Sequence, residues 1–251
     1  MRRYSIFGKI KMYRKLLLIL IVFAAALSCT RNAQQNSYQK TPYITGETLF
    51  SDDFSGDLTN WITEGVQPVL AEKQLELDTP VGTTVWFKPQ LEGDVMIEYD
   101  VTALDDGGPN DRISDLNCFW MATDPAHPNN LFAANKERGG TFANYNNLNQ
   151  YYVGYGGNTN TTTRFRRYNN GDRKLLGEFT DTSHLIVPNH QYHIQLICYG
   201  NKIEYYRDGE CLFSYEDPQP YRKGHFGLRT TLNHLVMDNF RVLRILSTRA
   251  D

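Results

Sequence analysis

Short runs in which apolar and polar residues alternate follow one another along most of the chain, divided by glycine- and asparagine-rich breakers. They are Leu75–Asp78, Thr83–Phe87, Val95–Thr102, Leu116–Ala122, Tyr151–Tyr155, Thr161–Tyr168, Lys174–Phe179, Tyr192–Tyr199, Lys202–Arg207, Cys211–Glu216, Gly224–Thr230 and Leu235–Ile245. A period of two sends successive side chains to opposite faces of an extended strand. Gly200-Asn201 and Asp208-Gly209 are two-residue hairpin signals, so Tyr192 to Glu216 reads as one meander. Leu49–Phe54 opens the series and leads to Asp57–Trp61. No stretch has the 3.6-residue period of a long amphipathic helix, and Pro128–Arg138 holds at most a helical turn. The expected fold is all-β, a sandwich or jelly roll of two antiparallel sheets.

The N-terminus breaks this pattern. Arg2, Arg3, Lys9, Lys11, Arg14 and Lys15 precede the apolar run Leu16–Leu27 and then Ser28-Cys29, the order of a secretory signal. Ala26-Leu27-Ser28-Cys29 resembles a bacterial lipoprotein box, which implies lipidation of Cys29 and attachment to the bacterial outer membrane, on its periplasmic or cell-surface side. Ordinary cleavage nearby or an uncleaved anchor are the alternatives. The expected organisation is a signal peptide over 1–28, a polar tether over 29–46 and one domain over 47–251. A formal charge of −2 leaves no nucleic-acid footprint. Beyond Cys29, the odd set Cys118, Cys198 and Cys211 suggests buried free thiols, with a Cys198–Cys211 bridge as the alternative.

One stretch, Phe142 to Tyr168, is rich in tyrosine and asparagine, carries Arg164, Arg166 and Arg167, and has no acidic residue. Alternation puts Arg164, Arg166 and Tyr168 on one face, with Phe165 and Arg167 on the other. Two guanidiniums and a phenol on one strand face suit a polar, planar or anionic ligand.

The opening Phe-x-Asp-Asp-Phe and its following Trp, the hairpin Lys202–Gly209, the strand Gly224–Arg229 and the ending Met237–Val242 resemble concanavalin A-like sandwiches. Tyr151–Tyr168, with Phe165-Arg166-Arg167, is similar to the YesU-like group found with rhamnogalacturonan-utilisation genes. The domain also resembles lipoproteins of Bacteroidetes polysaccharide-utilisation loci and, more distantly, the 3-keto-disaccharide hydrolase domain. The resemblance implies a substrate groove across the concave face of one sheet. It also implies a structural calcium ion where the first and last strands meet, at Asp52 or Asp53 with Asp238; no other cofactor is expected.

Alternation makes Arg229 a groove candidate, since Phe226 and Leu228 should point to the core. His193 and Gln195 are candidates from Tyr192–Tyr199, and Asn117 or Trp120 from Leu116–Ala122. Conventional glycoside hydrolysis needs two facing carboxylates. No Glu-x-Asp-x-x-Glu triplet is present, and Glu98 and Asp100 read as surface carboxylates. A lyase must neutralise a uronate carboxylate, take the neighbouring proton and protonate the leaving oxygen. Tyr151, Tyr155, His193 and Arg166 fit the catalytic part of that list, and Arg164, Arg229, Tyr168, Asn146, Gln150, Asn117 and Trp120 the binding part. The expected function is therefore β-elimination on uronate-containing plant or algal oligosaccharides. The alternatives are a non-catalytic glycan-binding module and, more weakly, a 3-keto-glycoside-processing hydrolase.

Overall fold

In the computed structural model, residues 41–249 are described. The signal segment, Cys29 and most of the expected tether lie outside the described residues. In chain order the strands are Tyr43–Asp52 (β1), Trp61–Glu64 (β2), Val69–Ala71 (β3), Gln74–Thr79 (β4), Thr83–Phe87 (β5), Leu91–Glu92 (β6), Val95–Ala103 (β7) and Asn117–Thr123 (β8). They continue with Asn149–Gly156 (β9), Thr162–Asn169 (β10), Asp172–Phe179 (β11), Tyr192–Tyr199 (β12), Lys202–Arg207 (β13), Glu210–Glu216 (β14), Lys223–Thr230 (β15) and Asn233–Thr248 (β16). β1 begins at Tyr43 and pairs along the end of β16, with Tyr43 opposite Thr248, so the sheet starts four positions before the expected boundary at 47.

Two antiparallel sheets result. The first runs β14-β13-β12-β7-β16-β4-β3, with β1 added to β16; the second runs β11-β10-β9-β8-β15-β5-β2, with β6 added to β15. The inward positions of both sheets form one apolar cluster. Ile97, Tyr99, Val101 and Leu196 of the first sheet join Trp120, Val153, Phe165, Phe226 and Leu228 of the second, each no more than 2% exposed. Tyr99 meets Phe226 across the gap, with ring centroids 5.2 Å apart. Burial of each large side chain contributes roughly 1.5–3 kcal/mol, and this layer holds the sheets together.

The outward face of the first sheet is less open than its sequence suggests. Glu98 and Asp100 point away from the core as expected, yet they are 5% and 8% exposed rather than surface carboxylates. His193 covers them, with Nδ1 2.7 Å from Asp100 Oδ1 and Nε2 3.6 Å from Glu98 Oε2. Arg241 Nη2 lies 2.5 Å from Glu98 Oε1. Burial alone would lower the His193 pKa, but hydrogen bonds to Asp100 and Glu98 outweigh it and push the value up to about 9. The three cysteines are free; Cys118 and Cys198 are buried, whereas Cys211 is exposed near the sheet edge, contrary to expectation.

Candidate functional site

The outward face of the second sheet carries a cleft of about 330 Å3. Register places its floor. Arg229 of β15 stands between Thr84 of β5 and Asn117 of β8. In the next row, Gly227 lies between Trp86 and Phe119, Phe119 is opposite Tyr152 of β9, and Tyr152 is opposite Arg166 of β10. Arg164 faces Gly154, and Tyr168 faces Gln150. Trp86 and Phe119 stack at 5.5 Å over Gly227, where a β-carbon would come within 2.5 Å of the Trp86 ring. Both rings are fully buried, and the cleft beside them is lined by arginines.

Residues 124–148 close one end of the cleft. Glu64, at the end of β2, accepts from Arg138 Nη2 at 2.6 Å and Nε at 3.0 Å, and from the Tyr145 hydroxyl at 2.6 Å. Arg138 and Glu64 are both almost fully buried, and Arg138 Nη2 also donates to the Leu131 carbonyl at 2.7 Å. This pair fixes the segment that presents the Gly140 carbonyl and the Phe142 ring to Arg229.

Arg229 is the most constrained cation of the site. Only 3% exposed, it donates from Nη1 to the Gly140 carbonyl at 2.8 Å and to Thr84 Oγ1 at 3.1 Å. Its guanidinium lies 5.0 Å from the ring centroids of both Phe142 and Tyr145. Burial pulls its pKa below the ordinary arginine value. No carboxylate stands within ion-pair distance of it among the described residues. Taking a cation out of water without a counter-ion costs free energy, which an anionic ligand would offset.

The other guanidiniums divide into two kinds. Arg112 is neutralised by Asp115 at 2.6 Å, and Arg164 by Glu178 at 2.9 Å. Arg166 makes no hydrogen bond or ion pair among the described residues. Arg173 reaches the neutral Asn146 side chain at 3.4 Å and lies close enough to the Tyr168 hydroxyl to lower its pKa against the raising effect of burial. Three neutral groups also face the cleft without satisfied partners. The Tyr152 hydroxyl makes no hydrogen bond, and the Tyr168 hydroxyl and Asn117 Oδ1 are buried and unpartnered. Burial pushes the Tyr152 pKa up, Tyr168 and Asp115 add to the rise, and Arg229 and Arg166 oppose it. Buried polar groups nearly always find partners within the fold or in water. Two such atoms, Asn117 Oδ1 and the Tyr168 hydroxyl, belong to residues that line the cleft.

At the mouth, Asn158, Thr159 and Asn160 form a left-handed turn with φ of 53°, 60° and 55°. Asparagine tolerates that region, but a β-branched threonine is strained in it. Asn160 enforces the turn by bonding both Ile186 N and Ile186 O at 2.8 Å. Such strain is typical of functional rims.

Several expected site residues lie in the cleft, and several do not. Arg164, Arg166, Tyr168, Asn117 and Arg229 line it together. Asn146 sits beside it through Arg173, while Gln150 is fully buried beneath the covering segment, its Nε2 bonded to the Tyr145 carbonyl at 3.2 Å. Trp120 points into the core, stacked on Phe165 at 5.7 Å, because three residues from Asn117 a strand shows its opposite face. Tyr151 and Tyr155 share that inward face. Their hydroxyls reach Asp217 at 2.6 Å and the Leu185 carbonyl at 3.1 Å. His193 belongs to the other sheet altogether. Tyr152, Arg112, Asp115 and Arg173 are cleft residues that sequence reasoning passed over. Val153 held the clue to Tyr152, since the face that carries Val, with Tyr151 and Tyr155, is the apolar one.

The calcium expectation finds little support in the geometry. Asp53 caps its own turn, accepting from Ser55 N at 3.2 Å and Oγ at 2.7 Å, and Asp238 accepts from Asn239 N at 2.6 Å. Asp52 is engaged by Trp61 Nε1 at 2.8 Å. No group of three or more His, Cys, Asp or Glu side chains suited to a metal occurs among the described residues.

A jelly-roll sandwich with an arginine-lined cleft on one outward face is the class these features define. Residues 77–240 match the family described as a domain of unknown function (DUF6250), and the chain belongs to that family. No curated protein matches it. Among solved structures it is similar to a Bacillus subtilis protein of unknown function with a galectin-like fold, at 17% identity and a TM-score of 0.68, over 83% of this chain and 100% of that one. It is also similar to carbohydrate binding module CBM66 from Bacillus subtilis, at 16% identity and a TM-score of 0.52, over 74% and 96% of the two chains. A third likeness is to the endo-beta-1,3-glucanase of Pyrococcus furiosus, at 12% identity and a TM-score of 0.54, over 80% and 95%. At these identities the likeness establishes the fold.

Proposed function

We propose that this protein acts on acidic glycans, holding the carboxylate of a uronate-bearing plant or algal oligosaccharide in the cleft and cleaving the chain by β-elimination. The observation that carries the reading is that Arg229 and Arg166, neither ion-paired to a carboxylate among the described residues, line one cleft with the Tyr152 hydroxyl. In elimination the proton beside the carboxylate passes to a base, for which Asp115, the one carboxylate lining the cleft among the described residues, is the acceptor at hand. The C–H bonding electrons form the new C=C bond as the glycosidic C–O bond breaks. Guanidiniums stabilise the charge that develops on the carboxylate. The Tyr152 hydroxyl carries a proton at neutral pH that it can give to the departing oxygen; burial weakens it as an acid, and Arg229 and Arg166 oppose that effect. Asp115 is the one carboxylate lining the cleft and is already bound by Arg112, so a two-carboxylate hydrolysis lacks its pair there. The fold likeness to a carbohydrate binding module and a glucanase, and the resemblance to the YesU-like group, are consistent with a glycan ligand. Export and a lipid anchor at Cys29 belong to the same proposal and rest on the N-terminal sequence.

A second reading, a non-catalytic glycan-binding module, is favoured by one observation. No histidine lines the cleft, so no side chain with an ordinary pKa near neutrality stands ready as base. One experiment separates the two. Purified domain is incubated with pectic, ulvan-like and glucuronate-capped oligosaccharides while the absorbance of an unsaturated uronate is followed, with calorimetry in parallel. Absorbance that rises, and is lost in Tyr152→Phe, supports elimination. Binding heat without absorbance overturns elimination in favour of the module, and silence in both overturns the acidic-glycan reading.

A further inference from the structure

Arg229 and Arg166 stand on strands separated by β8 and β9, three inter-strand steps apart in the second sheet. At about 4.8 Å per step their backbones are roughly 14 Å apart. Arg229 does not lean across this gap. Its Nη1 is drawn to Thr84 on β5, the strand on the far side from Arg166, and to the Gly140 carbonyl. Its Nε and Nη2 carry no hydrogen bond within the protein. On the other side, Arg166 is accompanied by Arg173, which lies directly opposite Tyr168 in the β10–β11 ladder. The buried Tyr168 hydroxyl has no partner. A carboxylate, whose two oxygens are only about 2 Å apart, that pairs with Arg229 where Thr84 and Gly140 hold it lies three strands from the Arg166 backbone.

The charge inventory agrees. Five arginines line the cleft: Arg112, Arg164, Arg166, Arg173 and Arg229. Asp115 and Glu178 pair directly with two of them; Arg166, Arg173 and Arg229 form no ion pair among the described residues, and only longer-range attraction links Arg166 to Glu178 and Arg229 to Asp115 and Glu64. Arg173 is exposed and screened by water, but Arg229 is buried and Arg166 half-buried. A single acidic sugar would leave one of these two inner cations unmatched.

We infer that the cleft contains two separate anion subsites, one at Arg229 beneath Phe142 and one at Arg166, Arg173 and Tyr168, and that it takes a glycan segment bearing at least two anionic groups. This rests on the acidic-glycan reading above and narrows it from uronate-containing to multiply charged. The anions are uronate carboxylates or sulfate esters, both planar or trigonal oxygen arrays that a guanidinium meets with paired hydrogen bonds. Asn117 Oδ1 and the Tyr152 hydroxyl, between the two subsites, would meet sugar hydroxyls.

Calorimetry at fixed chain length tests it. Trigalacturonate is titrated into the domain with all carboxylates free, and again with all but one methyl-esterified, at low and at moderate salt. A third titration uses a glucuronate disaccharide carrying one sulfate. The expected result is a gain of ten-fold or more in affinity for the multiply charged trisaccharide, steeper at low salt, and abolished in Arg166→Gln. Tighter binding by the sulfated disaccharide than by its unsulfated counterpart assigns one subsite to sulfate; no difference assigns both to carboxylates. Equal affinity for the singly and multiply charged trisaccharides overturns the two-subsite inference while leaving the acidic-glycan reading intact. Failure of every acidic ligand to bind overturns both.

Discussion

The Tyr152 hydroxyl lies over Gly154, only 2.7 Å from where a β-carbon at 154 would stand. The tyrosine ring therefore runs along its own strand, across the cleft floor between Arg229 and Arg166, because the residue two positions on has no side chain. Two substitutions follow from this arrangement. Tyr152→Phe removes the hydroxyl and leaves the packing, and should lower the elimination rate by about 10²–10⁴-fold while changing binding little. Gly154→Ala should push the ring off its seat, lowering the rate similarly and also the melting temperature, because the displaced ring is buried against Phe119, Phe142 and Tyr168. Initial rates from unsaturated-uronate absorbance, beside a melting curve, check both. An active Tyr152→Phe enzyme would remove Tyr152 from the chemistry.

Arg166 and Arg164 occupy the same strand face but differ in their partners. Arg164 is held by Glu178 at 2.9 Å, while Arg166 makes no hydrogen bond or ion pair among the described residues. Arg166→Ala should weaken binding of acidic oligosaccharides by about 10–100-fold, the loss of one or two charge-assisted hydrogen bonds. The melting temperature should stay within a degree or two. Arg164→Ala should cost less affinity. Calorimetric titrations of the two variants, side by side, give the comparison.

Glu64 and Arg138 form the buried pair that fastens the covering segment to the sheet. Arg138→Met strands the Glu64 carboxylate in the interior and should destabilise by about 3–5 kcal/mol. For a domain of this size that corresponds to a fall of roughly 10 °C in melting temperature. Glu64→Gln should cost less, because Arg138 keeps Asp124 3.6 Å from Nη1. Because the same segment presents Gly140 to Arg229, affinity for acidic glycan should fall as well. Thermal melts and calorimetry of either variant provide the test.

On the opposite sheet, the stability contribution of His193 depends on pH. Its folded-state pKa, about 9, is raised above the ordinary histidine value by Asp100 and Glu98 against the opposing effect of burial. The folded protein thus keeps a proton there that the unfolded chain releases. The stabilisation is fully present below about pH 6.5 and is lost as pH rises toward 9, a change on the order of 3 kcal/mol. Denaturant titrations between pH 6 and 10 should show falling stability across that window, and His193→Gln should flatten the curve. A wild-type profile that is level there would contradict the assignment.

Much of the fold could be read from local pattern, because most strands show one face to an apolar core and the other outward. Thr83–Phe87, Tyr192–Tyr199 and Lys202–Arg207 have the boundaries that alternation and hairpin signals indicate. β1 escaped in part: with a mostly polar composition, Tyr43–Asp52 is held by its pairing with β16, which only the three-dimensional sheet reveals. Faces were legible where an unambiguous apolar residue set the parity, as Phe165 does for Arg164 and Arg166, or Phe226 and Leu228 do for Arg229. Where several aromatics adjoin, as in Tyr151-Tyr152-Val153, residue type alone misplaced the tyrosine that lines the cleft. His193 could not be assigned to a sheet from its own strand, since sheet membership depends on β12 pairing with β7, nearly a hundred residues away. Arg138 and Glu64 are likewise 74 residues apart, and their contact has no local signature.

The most direct test of the central claim is a crystal structure of the domain with trigalacturonate. The account predicts the oligosaccharide across the outward face of the second sheet, with one carboxylate on Arg229 and another on Arg166. Ligand density anywhere else, such as on the face that carries His193, would contradict it.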